Sequence, residues 1–117
     1  MIQMIYALLL TDALMINTMK LTEQLKAFLE EEGYTRLKEI EGRGVCGVKQ
    51  FMFTWAIVYG LDEMGLRGRW CYNNAIEPVV YLETWDGKED PPGNWIKYKG
   101  EGGERSRIPW NEKEEQT

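Results

Sequence analysis

The sequence predicts an α+β domain: a mainly antiparallel sheet of three to five strands with two helices packed on it. Three observations support this. The length of 117 residues suits one domain. A hydrophobic content of 44% is typical of a globular chain. Strand patterns follow one another instead of alternating with helices, which favours an antiparallel sheet with its helices on one face. We place the domain at residues 19–110, between an apolar extension, 1–18, and a polar tail, 111–117.

The apolar extension carries no basic region before Lys20, so it lacks the signature of a signal peptide. Asp12 interrupts the apolar run, so no membrane span is expected. Met19 resembles a natural start. We interpret residues 1–18 as an upstream extension, or as a hydrophobic helix packed on the domain or on a second copy.

The first helix is predicted from about residue 20 to 32, because its apolar positions recur at helical spacing and Gly33 suits a helix end. Three glycines in residues 42–49 lack the spacing of a nucleotide-binding loop, so a glycine-bent turn or edge strand is expected. Residues 51–60 are aromatic and β-branched and predict a central, buried strand.

Residues 66–72 predict the returning strand of a hairpin, in which Arg67, Arg69 and Cys71 share one face. Asn74 can cap a second helix, with Pro78 in its first turn and Gly87 beyond its end. A short strand is then predicted at 94–99, with Trp95, Lys97 and Lys99 alternating against Ile96 and Tyr98.

Catalytic chemistry is restricted by composition. The chain has no histidine, which excludes Ser-His-Asp and Cys-His catalysis and histidine-ligated zinc. Cys46 and Cys71 have no metal or redox spacing and are expected to be half-buried thiols, with a disulfide as the alternative. We therefore expect no cofactor and no enzymatic activity.

The strongest candidate surface combines aromatic and cationic residues: Trp95, Lys97, Lys99, Arg105 and Arg107. Such a pattern can stack bases and neutralise phosphates. Acidic residues flank it on both sides, so structural aromatics with solvated lysines are the preferred interpretation.

A second candidate surface is the hairpin that holds Arg67 and Arg69. Asp62 and Glu63 lie at its predicted tip, where carboxylates could bind a cation or move protons. Salt bridges between these carboxylates and the two arginines are the simpler interpretation.

Aromatic residues are dense, with five tryptophans and six tyrosines. They could fill the core, form the seam of a homodimer, or cage an apolar or cationic ligand.

Four stretches, 60–63, 65–72, 85–87 and 91–100, resemble a family of small uncharacterised proteins of phages, prophages and other bacterial mobile elements. The similarity covers about residues 35–107, and its last motif is fairly specific. It implies a bacterial mobile-DNA context and a cytoplasmic setting, and it supplies no catalytic residues.

Together these patterns predict a non-enzymatic binding or interaction module that forms a homodimer and has no membrane role. A protein partner is possible. The alternatives are a nucleic-acid or nucleoprotein accessory protein, and a binder of a small apolar or cationic ligand.

Overall fold

One antiparallel sheet, with a helix against each of its two faces, organises the part of the chain that the computed structural model describes, residues 20–108. The strand order follows the chain, so each strand pairs with its sequence neighbours. The elements are α1 (Glu23–Glu31), β1 (Thr35–Ile40), β2 (Gly44–Phe51), β3 (Thr54–Tyr59), β4 (Gly68–Tyr72), α2 (Ile76–Thr84) and β5 (Lys97–Lys99). The predicted α+β class is confirmed.

Helix α1 begins where the Thr22 hydroxyl accepts a hydrogen bond of 3.1 Å from the backbone N–H of Leu25. Leu25 and Leu29 are buried against the sheet. Gly33, with φ of +98°, turns the chain toward β1 in a conformation that favours glycine. The predicted helix is confirmed, beginning three residues later than expected.

The glycine-rich residues 42–49 belong mainly to β2, a central strand paired with both β1 and β3. The prediction of a turn or edge strand is wrong here. Gly47 lies where strands pack tightly: a Cβ atom would come within 2.9 Å of the Leu37 side chain and the Thr35 carbonyl. Strand β1, the true edge, is largely exposed and polar and was not predicted.

The segment predicted as one strand, 51–60, contains the last residue of β2, a two-residue turn and the whole of β3. Phe51 ends β2 and pairs with Thr54, the first residue of β3. Met52 and Phe53 form the turn between them, so only Thr54–Tyr59 is the buried central strand. The run reads as one strand because no glycine, asparagine or aspartate marks this turn.

Strand β4 and helix α2 agree with prediction. The Asn74 side chain accepts hydrogen bonds from the backbone N–H groups of Ile76 and Glu77, at 3.1 and 2.9 Å. Strand β5 is shorter than predicted, because it begins only at Lys97. Trp95 precedes it and therefore packs in the same cluster as Tyr98, not on the opposite side.

The two faces of the sheet carry separate cores, so the expectation of helices on one face is wrong. The α2 face combines residues of α2, the strands and the loop beyond α2: Ile40, Cys46, Val48, Ile57, Tyr59, Trp70, Tyr72, Leu82, Trp85, Trp95 and Tyr98. The α1 face comprises Leu25, Leu29, Tyr34, Val45, Ala56, Val58, Leu61 and Cys71.

The two cysteines are free and buried on opposite faces, so they form no disulfide with each other. Burial raises the pKa of the Cys46 thiol to about 12, which keeps it protonated and inert. Between residues 20 and 108, no helix is long and apolar enough to cross a membrane. The expectations for residues 1–18, Trp110 and the tail 111–117 lie outside the described residues.

Candidate binding surface

The α2 face is closed by the loop between α2 and β5. The indole N–H of Trp85 donates to the Glu89 carbonyl at 2.8 Å, and that of Trp95 donates to the Pro91 carbonyl at 3.1 Å. The Tyr72 hydroxyl donates to the Pro92 carbonyl at 2.7 Å. The polar ends of these rings thus fasten the loop over the core. Because Trp70, Trp85 and Trp95 are buried, they do not form the open tryptophan cage considered for a small ligand.

Three members of the first candidate surface take part in this closure. Trp95 is only 4% exposed, so its ring cannot stack on a ligand without opening the core. Arg105 makes a two-pronged salt bridge with Asp90, at 2.8 and 3.1 Å, and lies 4.4 Å above the Tyr98 ring. Arg107 donates to the carbonyls of Pro91 and Gly93 at 3.1 and 3.2 Å. The contacts of these three side chains therefore hold the loop in place.

The other expected cations lie toward the α1 face. Lys97 and Lys99 approach the Glu104 carboxylate at 3.5 and 4.0 Å, and Arg67 approaches that of Glu101 at 3.5 Å. The carboxylates of Asp62 and Glu63 make no salt bridge with Arg67 or Arg69 in the described part of the chain. Instead the Asp62 carboxylate accepts hydrogen bonds from backbone N–H groups of its own turn.

Helix α1 does not cover the whole α1 face. Beside it, between the β2–β3 hairpin and the β4–β5 strands, lies a depression of about 970 Å³. We call it the open groove, and its lining residues are Gln50, Phe51, Met52, Phe53, Thr54, Arg69, Cys71, Asn73, Ile96 and Lys97.

The hairpin tip at one wall of the groove is apolar and exposed. Met52 and Phe53 have 84% and 85% of their surface exposed. Met52 also has φ of +53°, in the left-handed region that a bulky side chain rarely adopts. When only the first of the two central residues of a hairpin turn has a positive φ, as here, glycine is favoured at that position. This apolar tip, Met52 and Phe53, is therefore unfavourable both for solubility and for the turn itself.

Two cations stack on Phe51 at the groove. The Arg69 guanidinium carbon lies 4.2 Å from the ring centroid, and the Lys49 amine lies 5.6 Å from it. Lys49 also lies 4.6 Å from the ring of Tyr34. In the described part of the chain neither cation forms a salt bridge, and the buried Nε of Arg69 has no hydrogen-bond partner. Aromatic faces alone hold these two charges.

Sequence reasoning placed Arg69 and Lys97 among the candidates but missed Lys49, Phe51 and the apolar tip. One signal could have found them. The predicted strand 51–60 was ten residues long, well above the mean strand length of about 5–6 residues, which suggests a turn within it. Lys49 lies on the same face of β2 as Phe51 and contacts its ring, and the expectation of a turn or edge strand at 42–49 did not show this.

Metal-ligand clusters and buried hydroxyl groups were the remaining candidates for a site among the described residues. Among residues 20–108, no group of three or more His, Cys, Asp or Glu side chains could hold a metal ion. The hydroxyls of Tyr59 and Tyr98 are 2.6 Å apart, and burial raises the pKa of Tyr59 far above its usual range. A hydroxyl held protonated in this way is a structural link within the core.

Comparison with known proteins gave no match: no protein-family model fits the chain, and neither curated proteins nor solved structures include a similar one.

Proposed function

We propose that this chain is a non-enzymatic interaction module that binds a protein partner through the open groove. The observation that carries this proposal is the apolar tip. Met52 and Phe53 are exposed beside an apolar groove, at a turn whose backbone disfavours Met52. Arg69 in the groove and Lys49 next to it have no salt-bridge partner among residues 20–108. Strained conformations that persist in a fold are concentrated at sites of function.

The free energies support a binding role for the tip. A left-handed conformation at a residue other than glycine costs on the order of 1–3 kcal/mol. Burying a Met or Phe side chain is worth roughly 1.5–3 kcal/mol. The isolated fold thus loses stability at Met52 and leaves two apolar side chains in water, whereas a partner that covers them recovers the apolar contribution.

The test separates folding from binding in one variant. Met52→Gly/Phe53→Asn places glycine at the left-handed position and removes both apolar side chains. We expect it to be more stable than the wild type in urea denaturation. A display library of random peptides, panned against the wild type, should yield binders that the variant does not retain.

Met64 provides the matched control, because it is 94% exposed in the turn between Asp62 and Gly65, outside the groove. Met64→Asn should keep every selected peptide. The proposal is overturned if panning yields no specific peptide, or if the selected peptides bind the double variant as well as the wild type.

A nucleic-acid accessory role is the second candidate, favoured by the stacking of Lys49 and Arg69 on Phe51 in a partly open face. The residues of this surface differ from those expected from the sequence, since Trp95, Arg105 and Arg107 hold the loop. Salt-dependent binding of single-stranded or duplex DNA, lost in Lys49→Ala/Arg69→Ala, would support this role. No binding at low salt would exclude it.

A homodimer is a further proposal, since the exposed apolar tip could pair with a second copy. A monomer mass in light scattering would contradict it. The mobile-element origin and cytoplasmic setting implied by the resemblance are likewise proposals, and the interaction role does not depend on them.

A further inference from the structure

We infer that the open groove binds a short, extended protein segment that carries acidic and apolar side chains together. In this arrangement a carboxylate of the partner lies at Arg69 and Lys49, and apolar side chains cover the tip at Met52 and Phe53. The inference deepens the proposed function and rests on it. It names the chemistry of the partner, which the apolar tip alone does not.

Charge complementarity gives the acidic requirement. Arg69 and Lys49 both lie on the Phe51 ring, and neither has a carboxylate partner among residues 20–108. Lys97, also in the groove wall, shares Glu104 with Lys99 at its rim. A guanidinium and an amine beside an apolar surface form strong, charge-assisted hydrogen bonds with a carboxylate.

The remaining lining gives the apolar and extended character. Phe51, Ile96 and Cys71 add apolar surface next to the tip. Gln50 and Asn73 add amide groups at the rim, which can pair with the backbone of an extended segment. A groove with an apolar floor, a few amides and two cations suits alternating side chains of an extended peptide.

A nucleic acid suits the charges around the open groove less well than a peptide does. Exposed carboxylates stand close by: Glu32 is near enough to raise the pKa of Tyr34, on whose ring Lys49 lies, and Glu104 lies beside Lys97. The phosphates of a nucleic acid that extends beyond the two cations would be repelled by these carboxylates. The whole chain has a formal charge of −5, which repels a polyanion over longer range. An acidic peptide is repelled too, but its apolar side chains cover the tip and add a favourable contribution that a chain of phosphates lacks.

The experiment measures binding of defined peptides of roughly eight residues, about the length of a strand. The probe alternates Leu and Glu. One control peptide alternates Leu and Lys, a second alternates Ser and Glu, and an oligothymidine of similar charge serves as the nucleic-acid control. Fluorescence anisotropy should show binding of the Leu/Glu peptide at least about tenfold tighter than that of each control, weakening with added salt.

Charge reversal then locates the site. Lys49→Glu should weaken the Leu/Glu peptide by about tenfold and strengthen the Leu/Lys peptide. Lys26→Glu is the matched control, since Lys26 is exposed on α1 and, unlike Lys49, does not contact the groove residue Phe51, while the change in charge is the same. It should leave both affinities within about twofold. Circular dichroism on each variant confirms that it is folded.

The outcomes separate this inference from the proposed function. If random-peptide panning yields tip-dependent binders that lack acidic residues, the interaction role stands and the acidic partner is refuted. If the oligothymidine binds more tightly than the Leu/Glu peptide, the nucleic-acid role replaces both. Equal effects of Lys49→Glu and Lys26→Glu would also overturn the inference, because the charge would then act from a distance.

Discussion

The two faces of the sheet use the same residue types in opposite ways. On the α2 face, aromatic rings are buried and their polar ends fasten a loop, as in the hydrogen bond from Trp85 to the Glu89 carbonyl. On the α1 face, Phe51 is only half-buried beneath Arg69, and Phe53 projects into solvent. Aromatic content therefore does not distinguish a core from a contact surface. What distinguishes them is whether another part of the fold covers the rings.

The cationic side chains of the two faces also differ in whether the fold itself supplies their partners. On the α2 face, Arg43 lies about 5 Å from the rings of Tyr59, Trp70 and Trp85 and donates from Nε to the Gly87 carbonyl at 2.8 Å. Its charge is thus matched by a backbone acceptor. Arg69 stacks on an aromatic ring too, but its buried Nε has no acceptor among residues 20–108. The charge of Arg43 is thus matched within the fold, whereas that of Arg69 has no carboxylate or carbonyl partner in the described part of the chain.

The largest expected effect on stability comes from truncating a buried side chain in the core of the α2 face, the closed face. Trp70 is fully buried, with its ring 5.1 Å from Tyr59 and 4.9 Å from Tyr98. Trp70→Ala should lower the free energy of unfolding by about 3–5 kcal/mol, because it leaves a large cavity. Trp55→Ala, at a half-buried position outside both clusters, should cost less in the same urea titration. Equal losses would contradict the central position of Trp70 in the α2-face core.

A smaller effect is expected where the loop meets the sheet. Gly87 has φ of +80°, and a Cβ atom there would lie 2.5 Å from Ile40 and 2.9 Å from Arg43. Gly87→Ala should cost roughly 1–3 kcal/mol more than Gly42→Ala. Gly42 is the matched control, since it has φ of +83° but nothing within 4 Å of an added Cβ. Thermal or urea unfolding that gives the same loss for both would show that the loop is not tightly seated.

The salt bridge that fastens the loop should make part of the stability depend on pH. The Arg105 guanidinium lowers the pKa of Asp90 in the folded protein. The pair therefore stabilises the fold above the usual carboxyl pKa of about 4, and this contribution is lost as the pH falls through the lowered value. Both side chains are partly exposed, so Asp90→Asn should cost only about 0.5–1 kcal/mol at neutral pH.

The measurement for Asp90 is the free energy of unfolding of the two proteins across an acid titration. The gap between them should close as the carboxylate is protonated. A gap that persists in strong acid, or no gap at neutral pH, would show that the Arg105 pair does not stabilise the closed face.

The smallest effect is expected at the open face. Because Phe53 is 85% exposed, Phe53→Ser should change the free energy of unfolding by no more than about 0.5 kcal/mol. The same variant should weaken binding of the Leu/Glu peptide. A loss of stability above about 2 kcal/mol would mean that Phe53 packs within the fold, and the contrast between the faces would fail.

Local signals in the sequence predicted both helices. Helical spacing found α1, and the Asn74 cap and Pro78 found the start of α2, because these features depend on residues close together in the chain. Which face each helix covers depends on long-range packing, and this expectation was wrong. The role of Gly47 was also hidden, since its requirement comes from Leu37 on a neighbouring strand.

The candidate site was less accessible to prediction, for a physical reason. Arg69 and Lys97 were found because cations are conspicuous in a strand pattern. Trp95 was wrongly expected to be exposed, because its burial depends on a loop that closes over it. The apolar tip escaped notice because Met52 and Phe53 contradict turn chemistry. Local rules fail most often where function overrides them.

The central claim is that the open groove, not the aromatic loop, is the contact surface. Its most direct test is a nuclear magnetic resonance titration of isotope-labelled protein with the Leu/Glu peptide, following the backbone amides. We predict that the largest shifts fall at Lys49, Phe51, Phe53 and Arg69, and that the amide of Glu89 in the loop does not move. Shifts concentrated in the loop 86–94, or the absence of any saturable shift in the groove, would contradict the account.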